Sequence, residues 1–307
     1  FIGSYLIAPR WARLHEHLGF TSPTTYLSSR YGLATQQVTA WSGVILKLLD
    51  VGAKWVAIGV ILKGFLGLDL WIGILVGSCM SMIYMTIGGM WADLANDFFQ
   101  FIVQLLTGII MLVGVVIYLG GWSGFTEAWT RLPELNRQFF RAPYSVWYTI
   151  FYAITIFMSY NGGTWNLAMR FMSSPSAKEA QKSARLSAVL YLIWPIVLFL
   201  PMWISPIIFP NLEDPGSIYS LMAGKFVPAG LYGIVLVGML AATLAMTGSD
   251  VSAVSAVINE DILPVVNPKK FKQGTTSLVQ ARIVTVLFNV LTVIIALNNE
   301  RFGGITG

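Results

Sequence analysis

The sequence predicts an all-α fold, a polytopic bundle of membrane-spanning helices, and three observations carry that prediction. Of the 307 residues, 56% are apolar and only 11% are charged, too few polar groups to coat a soluble domain of this length. The runs 70–92 and 98–126 contain no charged residue, and each exceeds the ~20 residues that carry a helix across a bilayer core. Nor does the chain alternate polar with apolar residues, as the strands of a membrane barrel do. Membrane insertion also accounts for the formal charge of +5, because excess Lys and Arg gathers on cytoplasmic loops. That charge therefore argues for a lipid bilayer as partner and not for nucleic acid.

In chain order, the first residues read as the end of a helix. Seven spans follow, near 38–62, 70–92, 98–126, 142–169, 186–212, 226–258 and 283–298. Between the second and third, Gly88-Gly89 and a short polar linker predict a turn, which makes the pair a membrane hairpin. Asp97 falls where the third span begins, its charge favoured by that helix's positive end. It reads either as an N-terminal cap, a common place for Asp, or as a functional carboxylate. The fourth span is interrupted by Ser159-Tyr160-Asn161-Gly162-Gly163-Thr164, and each of its glycines weakens a helix by about 1 kcal/mol relative to alanine. One reading is a broken helix at membrane depth whose freed backbone groups and polar side chains, Asn161, Thr164, Trp165 and Asn166, hold a solute or an ion. The other is an intact helix packing closely through Gly162 and Gly163. With residues 10–37 placed inside, eleven Lys and Arg fall on cytoplasmic segments and six outside, in agreement with the positive-inside rule.

Charges inside the membrane are costly enough to mark function or pairing. Lys47, Asp50 and Lys54 fall at i, i+3 and i+7 of the 38–62 span and share one face. Their charges leave one positive group unmatched, for which Asp97 or Asp250 offers a carboxylate. They read as a buried ion pair that fixes helix register, or as a lysine ammonium standing in for a bound cation. Enzyme chemistry finds little support. Cys79 is the only cysteine and lies in an apolar run, so disulfide frameworks and cysteine metal sites are excluded. His15 and His17 are the only histidines, lie in a loop and share no helical face, which argues against a histidine metal site and a Ser-His hydrolase. No phosphate-cradling glycine loop is present.

Four stretches resemble the sodium:solute symporter family. Thr21-Ser22-Pro23-Thr24-Thr25-Tyr26-Leu27-Ser28-Ser29-Arg30-Tyr31-Gly32 is similar to its T-x-x-x-Y-L-x-x-R-(F/Y)-G loop segment. Gly88 to Gln100 is similar to its G-G-x-x-A…D-x-x-Q turn. Met169-Arg170-Phe171-Met172 with Lys178-Glu179-Ala180-Gln181-Lys182 resembles the segment after its broken helix, and Met239 to Thr243 through Asn259-Glu260-Asp261-Ile262 resembles its eighth core helix, ending in D-I. The resemblance implies a leucine-transporter-type fold of inverted five-helix repeats, present in part. The chain, which starts at Phe1 and reads as an excised fragment, would be one transmembrane transporter domain over 1–307 holding core helices three to nine and the end of helix two. It implies a main sodium site using a backbone oxygen at Ala242 and hydroxyls at positions held here by Ala245 and Met246, neither of which offers an oxygen ligand. Thr247 and Ser249 lie nearby but replace those hydroxyls only on a rotated or distorted helix. A second sodium site in some members implies Asp97 and Ser249, with Asp250 beside them. Substrate contacts are implied for Thr164, Trp165 and Asn166, with Trp165 either gating or merely packing.

The leading expectation is therefore a multi-pass protein of the cell membrane, bacterial inner or plasma membrane, that is not an enzyme and needs no enzymatic cofactor. It would couple sodium to symport of a small organic solute, with sugar slightly favoured, by alternating access. Proton-coupled or uncoupled transport, a sensory membrane module and a transport-dead scaffold are the alternatives.

Overall fold

Helices account for nearly all regular structure in the computed structural model, which describes residues 2–138, 140, 142–159, 164–212 and 215–298, with backbone alone for Tyr84, residues 88–93 and Leu135. In order they are α1 (Ile2–Leu6), α2 (Ala8–Leu18), α3 (Thr25–Tyr31), α4 (Leu33–Leu66), α5 (Leu70–Tyr118), α6 (Trp122–Arg131), α7 (Glu134–Arg137), α8 (Val146–Met158), α9 (Trp165–Met172), α10 (Ala177–Trp203), α11 (Ser205–Ile208), α12 (Ile218–Phe226), α13 (Ala229–Val257), α14 (Leu263–Val266) and α15 (Leu278–Leu297). A π-helical turn, Ile258–Ile262, joins α13 to α14. Serine side chains start three of the long or apolar helices: Ser145, Ser176 and Ser277 each accept a hydrogen bond from the amide three residues on, which satisfies an otherwise orphaned N–H.

Among the described residues, five stretches are long and apolar enough to span a bilayer: Leu70–Ile87, Leu94–Tyr118, Ala177–Ile208, Ala229–Val266 and Leu278–Leu297. The other two expected spans depart for physical reasons. Helix α4 has ample length at 34 residues, but its Lys and Asp side chains interrupt the apolar run. Helix α8 has only 13 residues before it stops at Met158. The span expected over 98–126 also ends early, at Tyr118, where Gly120 and Gly121 take positive φ values of 85° and 92° and the chain leaves the helix.

The turn expected at Gly88-Gly89 takes another form. Helical backbone continues through it, so α5 runs for 49 residues. Its two arms nevertheless come back to one end of the bundle. A Cβ on Gly59 would lie 2.9 Å from Leu70, one on Gly64 3.3 Å from Ser220, and one on Gly114 3.1 Å from Phe226. That chain of contacts keeps Leu70 and Gly114 within about 40 Å, whereas a straight helix would separate them by about 66 Å. The element bends back on itself without losing its helical backbone, and the hairpin survives without a loop. The N-cap reading of Asp97 does not: the residue sits inside a helix, with no free N-terminus to stabilise it.

Packing follows from small residues. Gly59 and Gly73 let α4 and the first arm of α5 touch backbone to backbone, a Cβ on Gly73 falling 2.9 Å from the Gly59 Cα, as close helix crossings in membranes require. One core cluster gathers α4, the first arm of α5, α13 and α15 around Trp55, Ile58, Ile74, Val254 and Phe288. A second joins the end of α5 to α6, α12 and the start of α13 around Met111, Val115, Phe125 and Met222. Outward faces such as Ile45, Leu46, Leu49, Ile117 and Phe151 are exposed and apolar, the surface a bilayer solvates.

Candidate functional site

Helix α13 organises the polar interior. Its middle, 242–246, is regular helix, and the distortion that would reorient nearby hydroxyls lies further on, at Ile258–Ile262. The position implied for a main sodium site therefore presents Ala245 and a half-exposed Met246, while the Thr247 hydroxyl is returned to the Thr243 carbonyl at 2.7 Å. These side chains do not fit a hard cation, which needs oxygen ligands. Only backbone oxygen, as at Ala242, remains there.

One turn on, two neighbours serve separate clusters. Asp250 is 1% exposed and faces α4, where it accepts hydrogen bonds from Lys47 at 2.8 Å and from Lys54. Asp50 closes the square, accepting from Lys47 at 2.7 Å and Lys54 at 2.9 Å. The i, i+3, i+7 spacing thus does place all three α4 charges on one face, and Asp250 is the carboxylate that balances the second lysine. Two cations and two anions sum to zero, which is what burial in a bilayer demands.

Ser249 faces the other way, toward α5 and α9. There Arg170 donates to both Asp97 Oδ2 and Ser249 Oγ, so the three side chains from three helices meet at one guanidinium. Asp97 and Ser249, named from the sequence as a cation pair, are therefore brought together. Arg170 was assigned from the sequence to a cytoplasmic segment and was missed as a member of this site; the available signal was a lone arginine ending an apolar helix just after a break. Asp97 Oδ1 and Gln100 Oε1 are buried without a hydrogen-bond partner among the described residues. An orphaned carboxylate oxygen beside a serine hydroxyl is a set that fits a small hard cation.

The helix is interrupted at Thr164. Helix α8 ends at Met158 and α9 begins at Trp165, with Thr164 in extended conformation at φ −93° and ψ 137°. Asn161, like Tyr160, Gly162 and Gly163, lies outside the described residues. Thr164 Oγ1 donates to the Ser159 carbonyl at 3.3 Å, and Asn166 Oδ1 accepts from the Leu167 amide at 2.8 Å. The Trp165 indole lies on Gly43 of α4, where an added Cβ would meet its ring carbons at 2.2 Å. Trp165 therefore packs α9 against α4, one of the two roles open to it from the sequence.

A third polar centre was not foreseen. The π turn aims Asp261 into a nest where Thr25 Oγ1 at 2.8 Å, Gln36 Nε2 at 2.5 Å, Thr24 Oγ1 at 2.5 Å and Ser22 Oγ all donate to its carboxylate. Gln37 Nε2 also donates to its carbonyl at 2.8 Å. Two of the four quoted sequence stretches, the loop at 21–32 and the Asp261-Ile262 end of α13, thus turn out to be partners in one structure.

Comparisons with known proteins agree with this arrangement. Residues 1–306 match the model of the "Sodium:solute symporter family". The sodium/iodide cotransporter of Homo sapiens is 24% identical over 279 residues, which cover 85% of this chain and 43% of that protein. The sodium/proline symporter of Staphylococcus aureus is 24% identical over 273 residues, covering 85% of this chain and 52% of that protein. The chain thus spans about half the length of these curated relatives. Among solved structures, a Na+-coupled sialic acid symporter in a substrate-bound outward-open state superposes with a TM-score of 0.78, at 18% identity, over 96% of this chain and 66% of that one. The likeness shows a shared leucine-transporter-type fold.

Proposed function

Because this chain belongs to the sodium:solute symporter family, whose members are multi-pass membrane proteins, we propose that it couples a small organic solute to a monovalent cation, sodium before proton, by alternating access. The observation that carries the proposal is the meeting of Asp97 and Ser249, on α5 and α13, beside the α8–α9 break. A carboxylate and a hydroxyl from two different helices bind a cation only while those helices stay together, so the ion's binding energy is tied to their relative position. The interruption at Thr164 gives α9 a helix start there, and discontinuous transporter helices hold solutes at such ends. The side chains of this stretch, Asn161, Thr164 and Asn166, are neutral and polar, which favours a sugar.

Reconstitution in liposomes tests this reading, with labelled sugars, proline, sialic acid and iodide offered with and without an inward sodium gradient at fixed pH and voltage. Stimulated uptake of one solute, lost in Asp97→Asn, is the expected result. Uptake indifferent to sodium would move the coupling to protons or to none, a reading favoured by the Ala245 and Met246 side chains. Absence of uptake for every solute would favour a sensory module or scaffold.

A further inference from the structure

Arg170 holds the position a coupling cation would need. Its guanidinium bonds Asp97 Oδ2 and Ser249 Oγ at once, and among the described residues the neighbouring acid of α13, Asp250, is committed to Lys47 and Lys54 and does not balance an additional positive charge there. Yet the oxygen set is larger than Arg170 uses. Among the described residues Asp97 Oδ1 and Gln100 Oε1 are both buried acceptors without a donor, and at i, i+3 they share one face of α5. Buried acceptors left unpaired are costly and call for an explanation such as an ion. Arginine does not deprotonate, so it relieves the site of its charge only by moving away. Its side chain is 36% exposed, so it is not sealed inside the bundle.

We propose that Arg170 is a tethered competitor for a sodium-sized cation site formed by Asp97, Gln100 and Ser249. Without the ion, the guanidinium neutralises Asp97. When the ion arrives, it takes Asp97, Ser249 and the Gln100 amide oxygen as ligands and releases Arg170 to water. The site's charge stays near zero in both states, and the ion's apparent affinity is set by what it must displace. Gln100 is in this account a ligand that completes the oxygen set. The inference rests on the proposed cation coupling at Asp97.

Purified protein in nanodiscs, titrated with sodium against choline at constant ionic strength, provides the test, with bound radioactive sodium as the readout. Arg170→Gln should tighten sodium binding at least tenfold, and Arg170→Lys, which keeps a competing charge, should stay closer to the parent. Gln100→Ala should weaken binding about tenfold in the Arg170→Gln background. Asp97→Asn should abolish it in every background. The unmodified protein gives a second reading that needs no variant: sodium should speed phenylglyoxal labelling of Arg170 several-fold, as followed by mass spectrometry. Loss of binding in Asp97→Asn with affinity unchanged or weakened in Arg170→Gln, or labelling unaltered or slowed by sodium, would overturn the competitor and leave cation coupling standing. Sodium binding that survives Asp97→Asn would instead remove the coupling reading itself.

Discussion

Replacing Asp250 by asparagine removes one charge from the α4–α13 square while almost preserving its volume. In the intact protein the 1% exposed Asp250 shares Lys47 and Lys54 with Asp50, which is 43% exposed. After the change two ammonium groups, each under one-fifth exposed, are left with one half-solvated carboxylate. Breaking a buried pair from one side costs about 3–5 kcal/mol, a roughly 150-fold or greater fall in the folded-to-unfolded ratio. The matching Asp50→Asn change removes a partly hydrated charge and should cost only about 1 kcal/mol. Adding Lys54→Met to Asp250→Asn restores neutrality and should recover about 2 kcal/mol, a coupling read directly by the double-mutant cycle. Unfolding in mixed micelles, with Asp50→Asn, Asp250→Asn, Lys54→Met, the double variant and the parent side by side, measures all of it. If Asp250→Asn is no worse than Asp50→Asn, or the double variant no better than the single, the square does not balance charge as argued.

Three further outcomes are expected. Asp261→Ala leaves the donors of Ser22, Thr24, Thr25 and Gln36 unmatched, so stability should fall by about 2–4 kcal/mol; hydrogen exchange at residues 22–36 should quicken, and unchanged protection there would contradict the nest. Gly43→Ala sets a methyl against the Trp165 ring and should cost about 1–3 kcal/mol, an increment that should vanish in thermal melts when the same change is made in a Trp165→Ala background. In Thr292→Val the Trp55 Nε1 donor loses its 2.9 Å partner, with an expected loss of about 1–3 kcal/mol visible as a lower melting temperature against Thr292→Ser, which keeps the hydroxyl.

The apolar runs made most of the fold legible, because a bilayer imposes a length and a composition that need no tertiary knowledge. Periodicity likewise placed Lys47, Asp50 and Lys54 on one face, and glycine content located the break that now separates Met158 from Trp165. What stayed hidden depends on contacts far apart in sequence. Arg170 carries only a weak local signal, its place in an apolar helix after the break, and its partner Asp97 lies 73 residues away. Asp261 meets Ser22 across 239 residues and only because a π turn reorients it. The Gly88-Gly89 turn was read from local propensity, which tertiary packing overrode: the chain reverses with its helical backbone kept.

The zero-sum charge of the α4–α13 square has an electrical consequence. Carrying one elementary charge through 100 mV takes about 2.3 kcal/mol, so a carrier that moved bare lysines across its bilayer would be driven by voltage whether or not it carried an ion. Lys47, Lys54, Asp50 and Asp250 travel as a neutral block and draw no such work from the field. On the proposed cycle, any current then belongs to the coupled ion and to Arg170, whose proposed swing away from Asp97 would displace charge even in a turnover that delivers no solute.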